Sequence, residues 1–290
     1  MRITKYETAF PSKATGRNRA GTVYANIFDS VAEMGRYVKE HGKADETGAS
    51  SKRGGLTYAQ ALDKCFTGDE SAVPASDALL GKFEQMSLDS AGSRWSDDVA
   101  GCVPNVPAFV SGSPLSMRRK VRDENIKSPI AIVMDVTASW LISPADLQRR
   151  GVAVLALVRT LAMVRPVELW CGSIVGADND SNGVAMFARI DTTPLDLATA
   201  GYAMTNAAFL RHICFALGRK YGFSGGWPFN DDQSTRKHFR TITAPIFEHV
   251  GDMIYIPAVL SGADTISNPV EWIQEKLREH GVANIGEMAG

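Results

Sequence analysis

The feature that most constrains this chain is the run after Pro129, IAIVMDV, with strand-length and helix-length apolar segments alternating behind it. The run is short, β-branched and opened by proline, so it reads as a buried strand over 130–136. A helix follows near 145–164 (ADLQRRGVAVLALVRTLAMV), apolar almost all round from Val152, and Pro166 ends it. VELWCGSIVG and GVAMFARID supply second and third strands, and TNAAFLRHICFAL a helix near 205–217. MIYIPAVLSG is a fourth strand, and Ser267-Asn268-Pro269 signals the start of a last helix that Gly281 stops. Apolar strands separated by helices need cover on both faces. The expected fold is α/β, a three-layer, mostly parallel sheet with helices on both faces.

The first half differs. Through Arg19 it is polar, basic and without period, and reads as an arm. A helix is expected next, with Ile27, Val31, Met34 and Val38 on one face and Gly42 as its stop. Residues 42–55 read as a polar linker, 57–66 and 76–88 as short helices, and 90–129 as irregular, proline-rich chain. The expected division is a helical and irregular region over 1–128 and an α/β domain over 129–290.

With 290 residues, 44% apolar and 22% charged, the chain can bury a sizeable core. No window approaches eighteen consecutive apolar residues, and MRITKYETAF lacks a signal-peptide run, so no membrane partner is expected. Cys65, Cys102, Cys171 and Cys214 lie far apart, which gives no zinc ribbon or disulfide framework and suits a reducing cytoplasm.

Signatures of enzymes are missing: there is no phosphate loop, nucleophile elbow or H-E-x-x-H, and the five histidines never fall at a zinc-ligand spacing. His212, inside an apolar helix, reads as a packing residue. No catalytic residue and no cofactor are assigned. Asp135, Thr137 and Ser139 form a D-x-T-x-S where the first strand ends, the edge at which open α/β sheets hold ligands. It resembles the D-x-S-x-S metal-ion-dependent adhesion site of von Willebrand factor A domains, with Thr205 and Asp264 as the implied second- and third-loop ligands. That resemblance implies a von Willebrand A-like or Rossmann-like sheet and, as an alternative function, a protein-interaction module presenting magnesium. Thr137 departs from the pattern, and the glycines expected near Thr205 are missing. The residues themselves read as a turn held by the Asp135 carboxylate, with no metal assigned.

Charge is balanced overall at −1, but residues 1–60 carry ten Lys/Arg against six Asp/Glu. Within that front lie Arg17, Arg19, Lys52 and Arg53. Arg118, Arg119, Lys120 and Arg122 form a second basic cluster. The segment 218–240 sets Arg236, Lys237 and Arg240 among glycines and aromatic rings, including Trp227 in GGWPF. Cations neutralise phosphates while rings stack on bases, the partnership that holds single-stranded nucleic acid. These twelve residues are the expected nucleic-acid-binding set.

VPNVPAFVSGSPLSMRRK, SPIAIVMDVTAS and QRRGVAVLALVRTLAMVRPVELW resemble a bacteriophage family of unassigned domain, over roughly residues 56–275. That family is similar to the Drc-type single-stranded-DNA-binding cofactors of phages that package a virion RNA polymerase. The resemblance implies a non-enzymatic, sequence-nonspecific single-stranded-DNA-binding protein, a transcription cofactor for a phage RNA polymerase. Its partners would be single-stranded DNA, that polymerase and further copies of itself, in the cytoplasm of the infected bacterial host. No site residue is carried over from the family.

Overall fold

The structure is a computed structural model that describes residues 1–11, 18–44, 50–84, 93–122, 129–163, 165–176, 182–222, 243, 245–248 and 250–280. Its main body is a six-stranded mixed sheet of β1 (Arg2–Pro11), β2 (Asn18–Phe28), β6 (Ile130–Asp135), β7 (Val167–Gly176), β8 (Asn182–Ile190) and β9 (Asp252–Ile256). The spatial order is β1-β2-β8-β7-β6-β9. A smaller antiparallel sheet joins β3 (Ser93–Asp98), β5 (Met117–Arg122) and β4 (Val103–Pro104).

β6 is buried along its whole length, as a continuous apolar run requires, and pairs in parallel with β7 on one side and β9 on the other. The helix that returns the chain from β6 to β7 is α5 (Pro144–Ala162), opened by a Ser143 cap on the Asp146 N–H. Its residues from Gly151 to Val158 are all buried. Gly151 is there for close approach: a Cβ would stand 2.2 Å from the Met204 carbonyl of α6 (Leu197–Thr205). The short link from β7 to β8 makes that pair an antiparallel hairpin, so the sheet is mixed where a mostly parallel one was expected.

The larger correction lies at the start. The basic arm is the strand β1, paired antiparallel with β2 through ten consecutive positions from Arg2↔Ile27 to Pro11↔Asn18. β2 in turn pairs in parallel with β8. Val23, Ala25 and Ile27 share one core cluster while Phe28 joins the other, the alternation of faces that marks a strand, so Ile27 belongs to β2 rather than to the helix after it. The sheet therefore runs without a break across the 128/129 division. α1 (Val31–His41) keeps the expected face, burying Val31, Met34 and Val38, with Gly42 at its end.

Strand alternation sorts the core into two. Ile130, Ile132 and Met134 of β6 join a large cluster with residues of α1, α2 (Tyr58–Thr67), α5, α6, α7 (Phe215–Lys220) and α8 (Pro269–Glu279). Ala131 and Val133 point the other way, into a smaller cluster with Val23, Trp170 and Phe187, covered among the described residues by Ile246 and Phe247. The class is α/β as expected. The described helices with buried residues gather on the first face, and among the described residues the second face carries the stretch around Ile246 and Phe247.

After α3 (Val73–Glu84), the segment 90–129, expected to be irregular, holds the small sheet and α4 (Val106–Val110). No residue of α4 is buried, and Phe109 and Val110 are 72% and 78% exposed. No described helix is long and apolar enough to cross a membrane.

Candidate functional site

Two loops meet where the parallel strands β6 and β9 end. After β6, the Asp135 carboxylate accepts the Thr137 N–H at 2.9 Å, closing the turn that the D-x-T-x-S pattern suggested. The Thr137 and Ser173 hydroxyls, both buried, lie 2.6 Å apart and tie this turn to β7. After β9, the Val259 N–H donates to the Thr137 carbonyl, and the Ser139 N–H donates back to the Val259 carbonyl at 2.8 Å. The two loops are thereby zipped into one rim.

Beneath the rim lies Arg150 of α5, 3% exposed. One terminal nitrogen donates to the Asp135 carbonyl at 2.9 Å, to Ile256 at 3.4 Å and also to Pro257. The guanidinium thus collects the carbonyls that two strand ends leave over, which explains a cation inside an apolar helix. Burial pushes Arg150 down to about 10, opposed by the charge of Asp135. Burial likewise pushes the Asp135 carboxyl up, against hydrogen bonds from Thr137, the charge of Arg150 and the Tyr255 hydroxyl at 3.3 Å.

The implied metal ligands do other work. Thr205 donates back to the Gly201 carbonyl in its own helix at 2.6 Å. Asp264 accepts from the Leu260 and Ser261 N–H groups and the Ser261 hydroxyl, holding its own turn. Arg150 already supplies the positive charge that acts on both Asp135 and Asp264, which disfavours a divalent cation beside it. Among the described residues no group of three His, Cys, Asp or Glu is placed to hold a metal. A cleft of about 400 Å³ opens beside Arg150, but Asp264, Glu271 and Glu275 line it against Arg150 and Lys276. Its acidic lining is wrong for a polyanion.

The other flank of the rim is basic. A π-helical turn, Phe209–Cys214, presents Arg211 and His212 to the chain over 50–56. Arg211 donates to the Lys52 carbonyl, and to the Ser139 carbonyl at 3.2 Å. His212 Nε2 is 2.9 Å from the Leu56 carbonyl, so this histidine anchors a loop within the core. Gly54, at φ +73°, passes so close that a Cβ would meet the Asn206 side chain at 2.1 Å. Lys52 and Arg53, in the turn Ser51–Arg53, are therefore held against the D-x-T-x-S loop. Burial first, and the Arg53 charge second, push Arg211 downward. Over Arg211, with ring centroid and guanidinium carbon 4.8 Å apart, lies Trp140, half exposed at 50%.

Among the described side chains of the expected nucleic-acid set, Lys52 and Arg53 reach this flank. Arg118 pairs with Asp97 at 3.1 Å and Arg119 with Asp98 at 2.7 Å, across the β3–β5 ladder of the small sheet. Arg19 lies in β2, and Lys120 and Arg122 in β5, with side chains outside the described residues. Arg17, Trp227, Arg236, Lys237 and Arg240 lie outside the described residues altogether.

Trp140 and Arg211 are not among the residues expected from the sequence. Two signals were there: a tryptophan directly after D-x-T-x-S in a polar turn, and an arginine interrupting TNAAFLRHICFAL. The chain belongs to the DUF7192 family. The match covers residues 6–283, and the family is described as a domain of unknown function. No curated protein and no solved structure matches the chain. For this DUF7192 chain the reading of the site rests on its own residues.

Proposed function

We infer that this DUF7192 chain is a non-enzymatic, sequence-nonspecific single-stranded-DNA-binding protein that serves a phage RNA polymerase as a transcription cofactor. The observation that carries the reading is the Trp140 ring, half exposed and backed by Arg211, beside Lys52 and Arg53. A large ring left open to solvent on a cationic flank suits a base stacked on its face with phosphates beside it. The acidic cleft around Arg150 directs a polyanion to the Trp140 side of the rim. The sequence resemblance to the Drc-type cofactors supports the same reading and supplies its polymerase partner and host cytoplasm. Arg17, Arg19, Lys120, Arg122, Trp227, Arg236, Lys237 and Arg240 remain part of the proposed binding set on sequence grounds.

An electrophoretic shift with labelled single strands of unrelated sequence tests the reading. Binding should be similar for all of them, fall steeply as salt rises, and be indifferent to a chelator. The absence of any shift would contradict the reading, and a shift abolished by the chelator would mean that a metal bridges the strand to the protein.

A further inference from the structure

The sheet has two ends, and they are not alike. β9 closes one end with five residues, Asp252–Ile256. β1 closes the other with ten, Arg2–Pro11, paired only to β2 among the described strands. Its ladder with β2 keeps one register from end to end, with no bulge to turn the outer edge away. A strand edge of that length presents a row of unpaired N–H and C=O groups, which soluble proteins ordinarily shorten, bend or cover. The sequence along it, RITKYETAFP, has proline only as its last residue.

We propose that β1 is the contact between two copies of this chain, pairing antiparallel with β1 of a second copy about a two-fold axis at Tyr6. Charge selects that register. Centred on Tyr6, Lys5 falls opposite the partner's Glu7 and Glu7 opposite the partner's Lys5, while Thr4 falls opposite the partner's Thr8 and Ile3 opposite the partner's Ala9. Shifting the centre to Lys5 or to Glu7 puts like charges directly opposite each other, which is unfavourable. Lys5 and Glu7 are exposed, and within the chain they stand opposite Tyr24 and Thr22 of β2, neither of them charged. Lys5 lies over the Tyr24 ring at 5.8 Å, but the β2 residues opposite Lys5 and Glu7 offer neither an opposite charge, and a second β1 would supply both. A two-fold contact is self-complementary by construction, so each pair is made twice and the assembly closes at two copies. The six-stranded sheets would join into one continuous sheet through the dimer.

Molar mass measured by light scattering on the full chain tests this. The wild type should show twice 31.3 kDa. Lys5→Glu sets Glu opposite Glu7 in both copies, and Glu7→Lys sets Lys opposite Lys5. Each change alone should raise the dimer dissociation constant by ~10-fold, from two pairs turned repulsive. Mixing the two single variants should restore the dimer as a heterodimer, because every cross-strand pair is again of opposite sign. The double exchange Lys5→Glu with Glu7→Lys should restore it too. Recovery on mixing cannot come from repair within either chain, and it shows that both variants are folded. A monomeric wild type, or a dimer that neither reversal weakens, or single variants that fail to recover on mixing, would overturn the proposal.

Discussion

Asp135 is a carboxylate with no exposed surface, and burial is the largest influence on its titration. Its folded-state pKa stands above the ordinary value of 3.8, so the folded chain holds the proton more tightly than the unfolded chain. That contribution to stability is complete below the unfolded value and is lost as pH rises through the folded one. Asp135→Asn keeps an oxygen for the Thr137 N–H but cannot titrate. The wild type should therefore gain stability relative to this variant as pH falls from neutrality towards 3.8, read as urea midpoints across the range. An identical pH dependence in both proteins would show that Asp135 is not held as described. Arg150 is the companion case. Removing it by Arg150→Ala leaves the Asp135, Ile256 and Pro257 carbonyls without their donor and Asp135 without its counter-charge. A loss of about 3–5 kcal/mol is expected in chemical denaturation, as for other broken buried charge arrangements. A loss under about 1 kcal/mol would mean that water substitutes for the guanidinium.

At the scale of elements, the two basic clusters part company. Arg118 and Arg119 direct their charge to Asp97 and Asp98 across the small sheet, whereas Lys52 and Arg53 are held at the rim by the Arg211 bond to the Lys52 carbonyl. Replacing Lys52 and Arg53 together by Ala should flatten the dependence of log affinity on log salt by roughly 0.7 for each phosphate that is no longer neutralised. The double change Arg118→Ala with Arg119→Ala should flatten it less. The reverse order, measured by fluorescence titration on one oligonucleotide, would place the binding face on the small sheet. How legible these elements were follows from their surroundings. β6, most of β7 and the middle of α5 are buried, so their composition alone announced them. β3 and β5 are charged strands whose partners are each other, and RWSDD and MRRKVR carry no apolar alternation to read. β1 and β2 were hidden differently: basic residues gave β1 the look of a tail, and Ile27 sits in phase with the α1 stripe although it lies in a strand.

For the molecule as a whole, the site lies where the sheet predicts it, at the ends of β6 and β9, but its content was only partly legible. The D-x-T-x-S turn was readable because Asp135, Thr137 and Ser139 are neighbours in sequence. The cationic flank was not, because Arg211 reaches Lys52 across 159 positions and Ser139 across 72. No local pattern encodes such a meeting. The central claim is that the rim binds single strands through the open ring of Trp140, and single-strand affinity of Trp140→Ala measured beside its melting temperature tests it most directly. A stacking ring predicts a loss of about 1–3 kcal/mol in binding with little change in melting, since half of the side chain is already in water. A variant that melts early while its folded fraction binds with unchanged affinity would contradict it.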